Sequence, residues 1–308
     1  MKAWLNGRLV ELGEAKVSLF DSGLQHGVGL FETMIARQGR VFALMEHLGR
    51  LRDSAAALRL SQGLRIGPLA RAVESTLESN ALENARIRVT ITGGDLMLAP
   101  GSSPKDGATH DPTISIVAQS PTNYPSELFE AGVRVRIADG RVNPLDLFAG
   151  HKTLWYWPRL AELQVASAAG CAESLYFTTA NTLASGAVSN VFLVRGDCLV
   201  TPMARGEGDP SAVLPGITRA RVMALAAEVG VSVAREGRLT IDELLASDEV
   251  FLTNSSWGIL PVAHVEARAI GGGTVGPVTQ RIRAAYEACV DRETMDGTAD
   301  DDAPYHDE

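Results

Sequence analysis

Cysteine is scarce in this chain, with three in 308 residues (Cys171, Cys198 and Cys289) and no CxxC pair among them. Such spacing supplies neither a disulfide framework nor a zinc site, so no metal is expected, and a reducing cytoplasm is the expected location. Long apolar runs are missing as well. No stretch is long enough to cross a membrane, and the opening Met1-Lys2-Ala3-Trp4-Leu5-Asn6 has no apolar core of a secretory signal. Basic charge is in deficit, with 28 Lys and Arg against 37 Asp and Glu and a net charge of −9. Seven of those acids fall in the last sixteen residues, Glu293 to Glu308, which hold no Lys or Arg. That tail is read as disordered and solubilising. The rest of the chain is near neutral, which argues against nucleic acid or an anionic membrane as a partner.

What remains is an ordinary globular composition, 45% hydrophobic and 21% charged, long enough for one large domain or two ordinary ones. Asn6-Gly7 and Gln38-Gly39 are hairpin turns between short alternating runs. Residues 43–58 and 61–80 have helical periodicity, and 85–92 and 113–119 alternate like strands. Between those strands, Gly93 to Pro112 is a long Gly/Pro/Ser/Asp loop of the kind that covers active sites. The second half predicts strands at 132–137, 173–178, 191–194 and 250–253, and helices at 158–169, 218–229, 239–246 and 275–290. The expected class is α+β with mixed sheets. The expected division is a small domain over 1–120, a linker over 121–127, a larger domain over 128–292 and the tail over 293–308.

Aromatic residues make up only 6% of the chain, yet Trp155-Tyr156-Trp157 stand together three residues after Lys152. A lysine against apolar walls loses solvation of its ammonium form and becomes a usable nucleophile, as a Schiff-base lysine must be. Taken alone, the same lysine reads more simply as a solvated surface group. Leu214-Pro215-Gly216-Ile217-Thr218-Arg219 opens a helix. Its first N–H groups and dipole form an anion site suited to a phosphate, or simply an ordinary helix start. Thr253-Asn254-Ser255-Ser256 offers hydroxyls and a turn backbone, which suit phosphate oxygens or a polar β-turn. Arg50 is either a surface ion-pair residue or a guanidinium aimed at phosphate. A lysine, two phosphate cradles and an arginine together describe a phosphorylated aldehyde cofactor held as an imine, of which pyridoxal 5′-phosphate is the standard example.

With these pieces in order the chain resembles the class IV aminotransferases, the fold-type IV pyridoxal phosphate enzymes. The family includes branched-chain and D-amino acid aminotransferases and aminodeoxychorismate lyases. The resemblance runs from Ala3 to Val262, through Leu5-Asn6-Gly7, Asp21 to Thr33, His47 to Leu51, His151 to Leu154, Ser189 to Phe192, Thr201-Pro202, Leu214 to Arg219, Asn254-Ser255 and Pro261-Val262. It implies a two-domain α+β fold with mixed sheets and flanking helices, the cofactor between the domains, and a homodimer that completes the site. By matching position it makes Lys152 the catalytic Schiff-base residue. Arg50, Ser255 and the backbone N–H groups of Ile217 and Thr218 become phosphate ligands, and Tyr156 the partner of the cofactor's phenolic oxygen. The substrate is a small amino compound, with Ser256 and His26 on its side.

Three departures from the family stand out, at four positions. Ser185 stands where most members carry a glutamate at the pyridine nitrogen, and no nearby acid in the sequence replaces it. Gly93 and Ile35 occupy positions where D-amino acid and branched-chain enzymes respectively place an arginine. His26 replaces the usual aromatic, and is either an acid/base group or a hydrogen-bonded wall residue. The expected activity is transamination. Elimination of the aminodeoxychorismate lyase type, releasing pyruvate, is the alternative, and a cofactor-binding protein with little transaminase activity is the third.

Overall fold

The computed structural model describes residues 1–95, 112–208 and 210–295, so most of the expected loop and the tail beyond Met295 lie outside the described residues. The chain forms two compact units. The first comprises Met1–Thr122, His151–Trp155 and the chain from Asp291; the second comprises Asn123–Gly150 and Tyr156–Val290.

The first unit holds β1 (Lys2–Leu5), β2 (Arg8–Glu11), α1 (Ser22–His26), β3 (Gly29–Arg37), β4 (Arg40–Val41), α2 (Leu44–Ala57), α3 (Ile66–Ser79), β5 (Ala85–Thr92) and β6 (Ile114–Gln119). Its six strands run in the order β2-β1-β6-β5-β3-β4, every pairing antiparallel. Asn6 and Gly7 both have positive φ, the backbone that a two-residue hairpin turn requires. Alternation puts Ala85, Ile87, Val89 and Ile91 of β5 into one core with Leu48, Leu51 and Ala55 of α2 and Leu69, Val73 and Leu77 of α3. Helix α3 begins at Ile66 rather than Ser61. The N–H groups of Leu60 and Ser61 turn back to Ala55 O, closing α2 first. The short α1 is an addition to the expected elements; Asp21 caps it, accepting from Gly23 N at 2.7 Å.

The second unit holds α4 (Glu127–Glu130), β7 (Val133–Val142), α5 (Trp157–Ala168), β8 (Glu173–Thr178), β9 (Leu183–Gly186), β10 (Asn190–Arg195), β11 (Cys198–Pro202), α6 (Ile217–Leu225), β12 (Ser232–Glu236), α7 (Ile241–Leu245), β13 (Glu249–Asn254), β14 (Gly258–Val265), β15 (Arg268–Ala269) and most of α8 (Pro277–Met295). Its sheet has the order β12-β11-β10-β13-β14-β7-β8-β9, with β15 on β14. The pairs β11–β12, β14–β7 and β7–β8 are parallel and the rest antiparallel, so the sheet is mixed and the class α+β, as expected. Leu175, Phe177, Val191, Leu193, Val250, Leu252, Leu260 and Val262 share one core. Strands β9, β11, β12, β14 and β15 are additions to those the sequence predicts. β9 carries Ser and Gly, and β14 contains Pro261, which removes a ladder donor and reads against a strand. Glu293 to Met295, placed in the tail by composition, continue α8.

Candidate active site

In the first unit, His151–Trp155 runs beside β3. Phe31 N donates to Lys152 O at 3.0 Å, Leu154 N donates to Gly29 O at 2.9 Å, and Leu30 bridges Thr153. Gly29 permits this approach, because a Cβ there would stand 2.4 Å from Ile91 O and 2.6 Å from Leu154 Cδ1. Lys152 Nζ lies 4.4 Å from the centre of the Phe31 ring, and Arg88 Cζ of β5 lies 3.8 Å from the same centre. The two cationic groups are therefore no farther apart than about 8 Å, the sum of those distances. The expected apolar walls need correcting. Trp155 and Trp157 are each 65% exposed, and the aromatic ring against Lys152 is Phe31. The tryptophans follow the lysine in sequence, but the contact is set by pairing with β3.

Behind Phe31, Glu32 is buried with two partners from one face of α2, His47 and Arg50, spaced i,i+3. His47 Nδ1 donates to Oε2 at 2.8 Å, and Arg50 grips the carboxylate through Nε (2.8 Å to Oε1) and Nη2 (2.6 Å to Oε2). Burial pushes the Glu32 carboxyl up, but the charge of Arg50 and the hydrogen bonds from His47 and Arg50 outweigh it and hold the carboxyl at about 2. Burial pushes His47 down, against the pull of Glu32. Arg50 is thus a largely buried, bidentate partner of Glu32 and not a surface ion pair. His26, at the end of α1, is exposed and has no hydrogen-bond partner among the described residues.

In the second unit, Gly216 is the N-cap of α6, and no side chain caps that helix. Ile217 and Thr218 begin its first turn, as expected. A Cβ on Gly216 would meet Asn190 Oδ1 at 2.0 Å, and Asn190 Nδ2 donates to Leu214 O at 2.9 Å. Glycine is obligatory here for space, since its φ of −68° suits any residue. Ser255 and Ser256 lie on the β13–β14 turn, where Asn254 Oδ1 accepts from the N–H groups of Ser256 and Trp257 at 2.9 and 3.0 Å. At the turn's start, the buried hydroxyl of Thr253 has no partner among the described residues.

Ser185 is buried on β9, and its hydroxyl donates to Gly186 O at 2.9 Å. The following segment is pinned from both sides. Tyr156 Oη donates to Ala187 O at 3.4 Å, and Arg159 Nη1 donates to Gly186 O and Ala187 O at 3.2 and 2.9 Å. Opposite them the carboxylate of Glu173, from β8, accepts from the N–H groups of Ser174, Ala187 and Val188 and from Ser189 Oγ, at 2.9–3.1 Å. Burial raises its pKa, against those four hydrogen bonds. Glu173 is the nearby acid that the linear sequence hides. Its signal is an acid opening an otherwise buried strand. Arg88 and Glu32 are likewise absent from the sequence reading of the site. Glu32 does carry a signal, as a strand acid matched by a helix with His and Arg at i,i+3.

The family model described as amino-transferase class IV matches residues 29–265. A putative branched-chain-amino-acid aminotransferase of Methanocaldococcus jannaschii is 35% identical over 291 residues, covering 93% of this chain and 96% of that one. The crystal structure of the Escherichia coli branched-chain amino acid aminotransferase matches with a TM-score of 0.86 at 28% identity, over 97% of each chain. The 4-amino-4-deoxychorismate lyase from Pseudomonas aeruginosa matches with a TM-score of 0.79 at 27% identity, over 94% of this chain and 98% of that one. Among the described residues no helix is long and apolar enough to cross a membrane.

Proposed function

This chain belongs to the amino-transferase class IV family, and from that premise we propose that it is a pyridoxal 5′-phosphate-dependent transaminase of small amino acids, branched-chain ones among them. The observation that carries this is the pair of cations on Phe31, an amine and a guanidinium no farther apart than about 8 Å. A transaminase needs one nitrogen to hold the cofactor and one cation to hold the substrate carboxylate. Lys152 fills the first role and Arg88 the second, which makes arginines at Gly93 and Ile35 unnecessary.

The residues fit the cofactor. The uncapped start of α6, with Gly216 leaving room beside Asn190, suits a phosphate. We assign the phosphate to the N–H groups of Ile217 and Thr218, to Ser255, and to Arg50, whose charge Glu32 offsets in part. Tyr156 and Ser185 are assigned to the ring, and Ser256 and His26 to the substrate. Pyridoxal phosphate supplies an aldehyde and a conjugated ring that accepts electrons. Lys152 Nζ would hold the cofactor through its aldehyde and, once released from it, would act as the base for the proton on the substrate's α-carbon.

A homodimer accounts for apolar side chains that one chain leaves in water. Leu145, Leu147 and Phe148 form one such run, and Leu19, Phe20 and Leu24 another near His26. Three cysteines, none of them in a disulfide, fit a reducing cytoplasm. Lyase chemistry is the second reading, because Ser185 cannot supply the charge that favours electron withdrawal by the ring. Purified protein reconstituted with cofactor is expected to show a visible band that is lost in Lys152→Ala, and an unchanged spectrum would refute the Lys152 assignment. Conversion of the band by branched-chain amino acids supports transamination. Pyruvate release from aminodeoxychorismate without such conversion supports the lyase, and failure of both leaves a cofactor-binding protein.

A further inference from the structure

The turn Ala204–Glu207 has no role so far, yet it grips two segments at once. On one side is Arg219, the third residue of α6 and the largest fully buried side chain of the described residues. Its Nη1 donates to Glu207 Oε1 at 2.8 Å and its Nη2 to Glu207 Oε2 at 2.7 Å. Its Nε donates to Thr201 Oγ1 at 3.3 Å, and Nη2 also to Pro202 O at 3.0 Å. Glu207 Oε2 closes the turn by accepting from Ala204 N at 2.8 Å. On the other side Arg205 Nε donates to the carbonyl of Gly150, two residues before Lys152, at 3.3 Å. A Cβ on Gly150, whose φ is +73°, would stand 2.8 Å from Arg205 Cβ and 3.1 Å from Val213 O, so that junction is closely fitted too.

An ion pair whose guanidinium is fully buried and whose carboxylate is only partly exposed gains little stability, because desolvation consumes much of the attraction. Nor does a carboxylate near a helix start help an anion bind there, since its charge repels the anion. Geometry is the remaining explanation. We propose that Glu207 is a positioning residue for cofactor binding. Through Arg219 it fixes the uncapped first turn of α6, and through the turn it closes it holds Gly150 and so the chain leading to Lys152. The proposal rests on the pyridoxal phosphate reading above and names the residues that shape that site.

The sign of the effect separates position from charge. Glu207→Gln is expected to weaken binding of inorganic phosphate to the cofactor-free protein, read by calorimetry, on the order of tenfold or more, the scale on which misplacement acts. Pyridoxal phosphate affinity, read from the visible band, should fall with it. Tighter phosphate binding would mean that Glu207 acts by charge alone. Unchanged binding with a lowered Tm would mean a purely structural pair. Either result overturns the proposal. If Glu207→Gln does not fold, Glu207→Asp keeps the charge and shortens the arm, and wild-type phosphate affinity in that variant overturns it as well. Arg205→Met removes the bond to Gly150. It is expected to leave phosphate binding unchanged while slowing appearance of the Lys152-dependent band, and a wild-type rate would overturn the Lys152 half of the proposal. A wild-type protein that binds phosphate but never forms that band would instead sink the cofactor reading itself.

Discussion

Replacing Glu32 with Gln tests the electrostatics of the first unit most directly. The native carboxyl is held at about 2 against an ordinary 4.5. At roughly 1.4 kcal/mol per pKa unit, that difference corresponds to about 3 kcal/mol of stability at neutral pH. Because Glu32 is 1% exposed, no discount for solvent screening applies. The magnitude agrees with the roughly 3–5 kcal/mol lost when one partner of a buried pair is removed, here leaving Arg50 and His47 without their carboxylate. The folded-state value is depressed, so the contribution is complete above the unfolded value near 4.5 and is lost as pH falls toward 2. Urea unfolding followed by circular dichroism should give a gap of about 3 kcal/mol between wild type and Glu32→Gln at pH 7, nearly the same at pH 5, and only about 1 kcal/mol at pH 3. His47 adds a separate slope. Burial lowers its pKa, so both proteins should lose stability as pH falls below 6.5, where the unfolded chain takes up the proton first. A gap below about 1 kcal/mol at pH 7, or one that stays constant from pH 5 to 3, would refute this account of the Glu32 site.

Two further variants bear on the cofactor site. Gly216→Ala places a Cβ against Asn190 Oδ1, which must leave Leu214 O or push the helix start aside. An absorbance titration should show pyridoxal phosphate binding weakened on the order of tenfold, and wild-type affinity would show that the α6 start is not the phosphate cradle. Ser185→Glu supplies the acid that the family resemblance leads one to expect at this position and is expected to speed the amino-transfer half-reaction in stopped-flow absorbance. An unchanged rate would turn attention to Glu173, the buried acid that pins the same segment.

How much can be read in advance depends on whether contacts follow the chain or cross it. The start of α6 is legible because its parts are consecutive: Gly216 clears the space, and Ile217 and Thr218 open the helix. Lys152 is singled out by the ordered motifs along the chain more than by its neighbours, and its surroundings are not legible from either. The tryptophans beside it point to solvent, while Phe31 and Arg88 reach it through the β3–β5 pairing and the bridge from Leu30 to Thr153. Glu173 shows the same rule from the other side. A search along the chain around Ser185 finds no acid, since the acid lies twelve residues back on the adjacent strand, brought there by the β8–β9 register of Tyr176 with Ser185. Substitution of a family's charged residue is therefore weak grounds for expecting lost chemistry until the paired strands have been inspected. Glu173 already has four hydrogen-bond donors and, among the described residues, no cation partner, so it shapes the 186–189 segment first. Whether its charge also reaches the cofactor ring is what the Ser185→Glu rate decides.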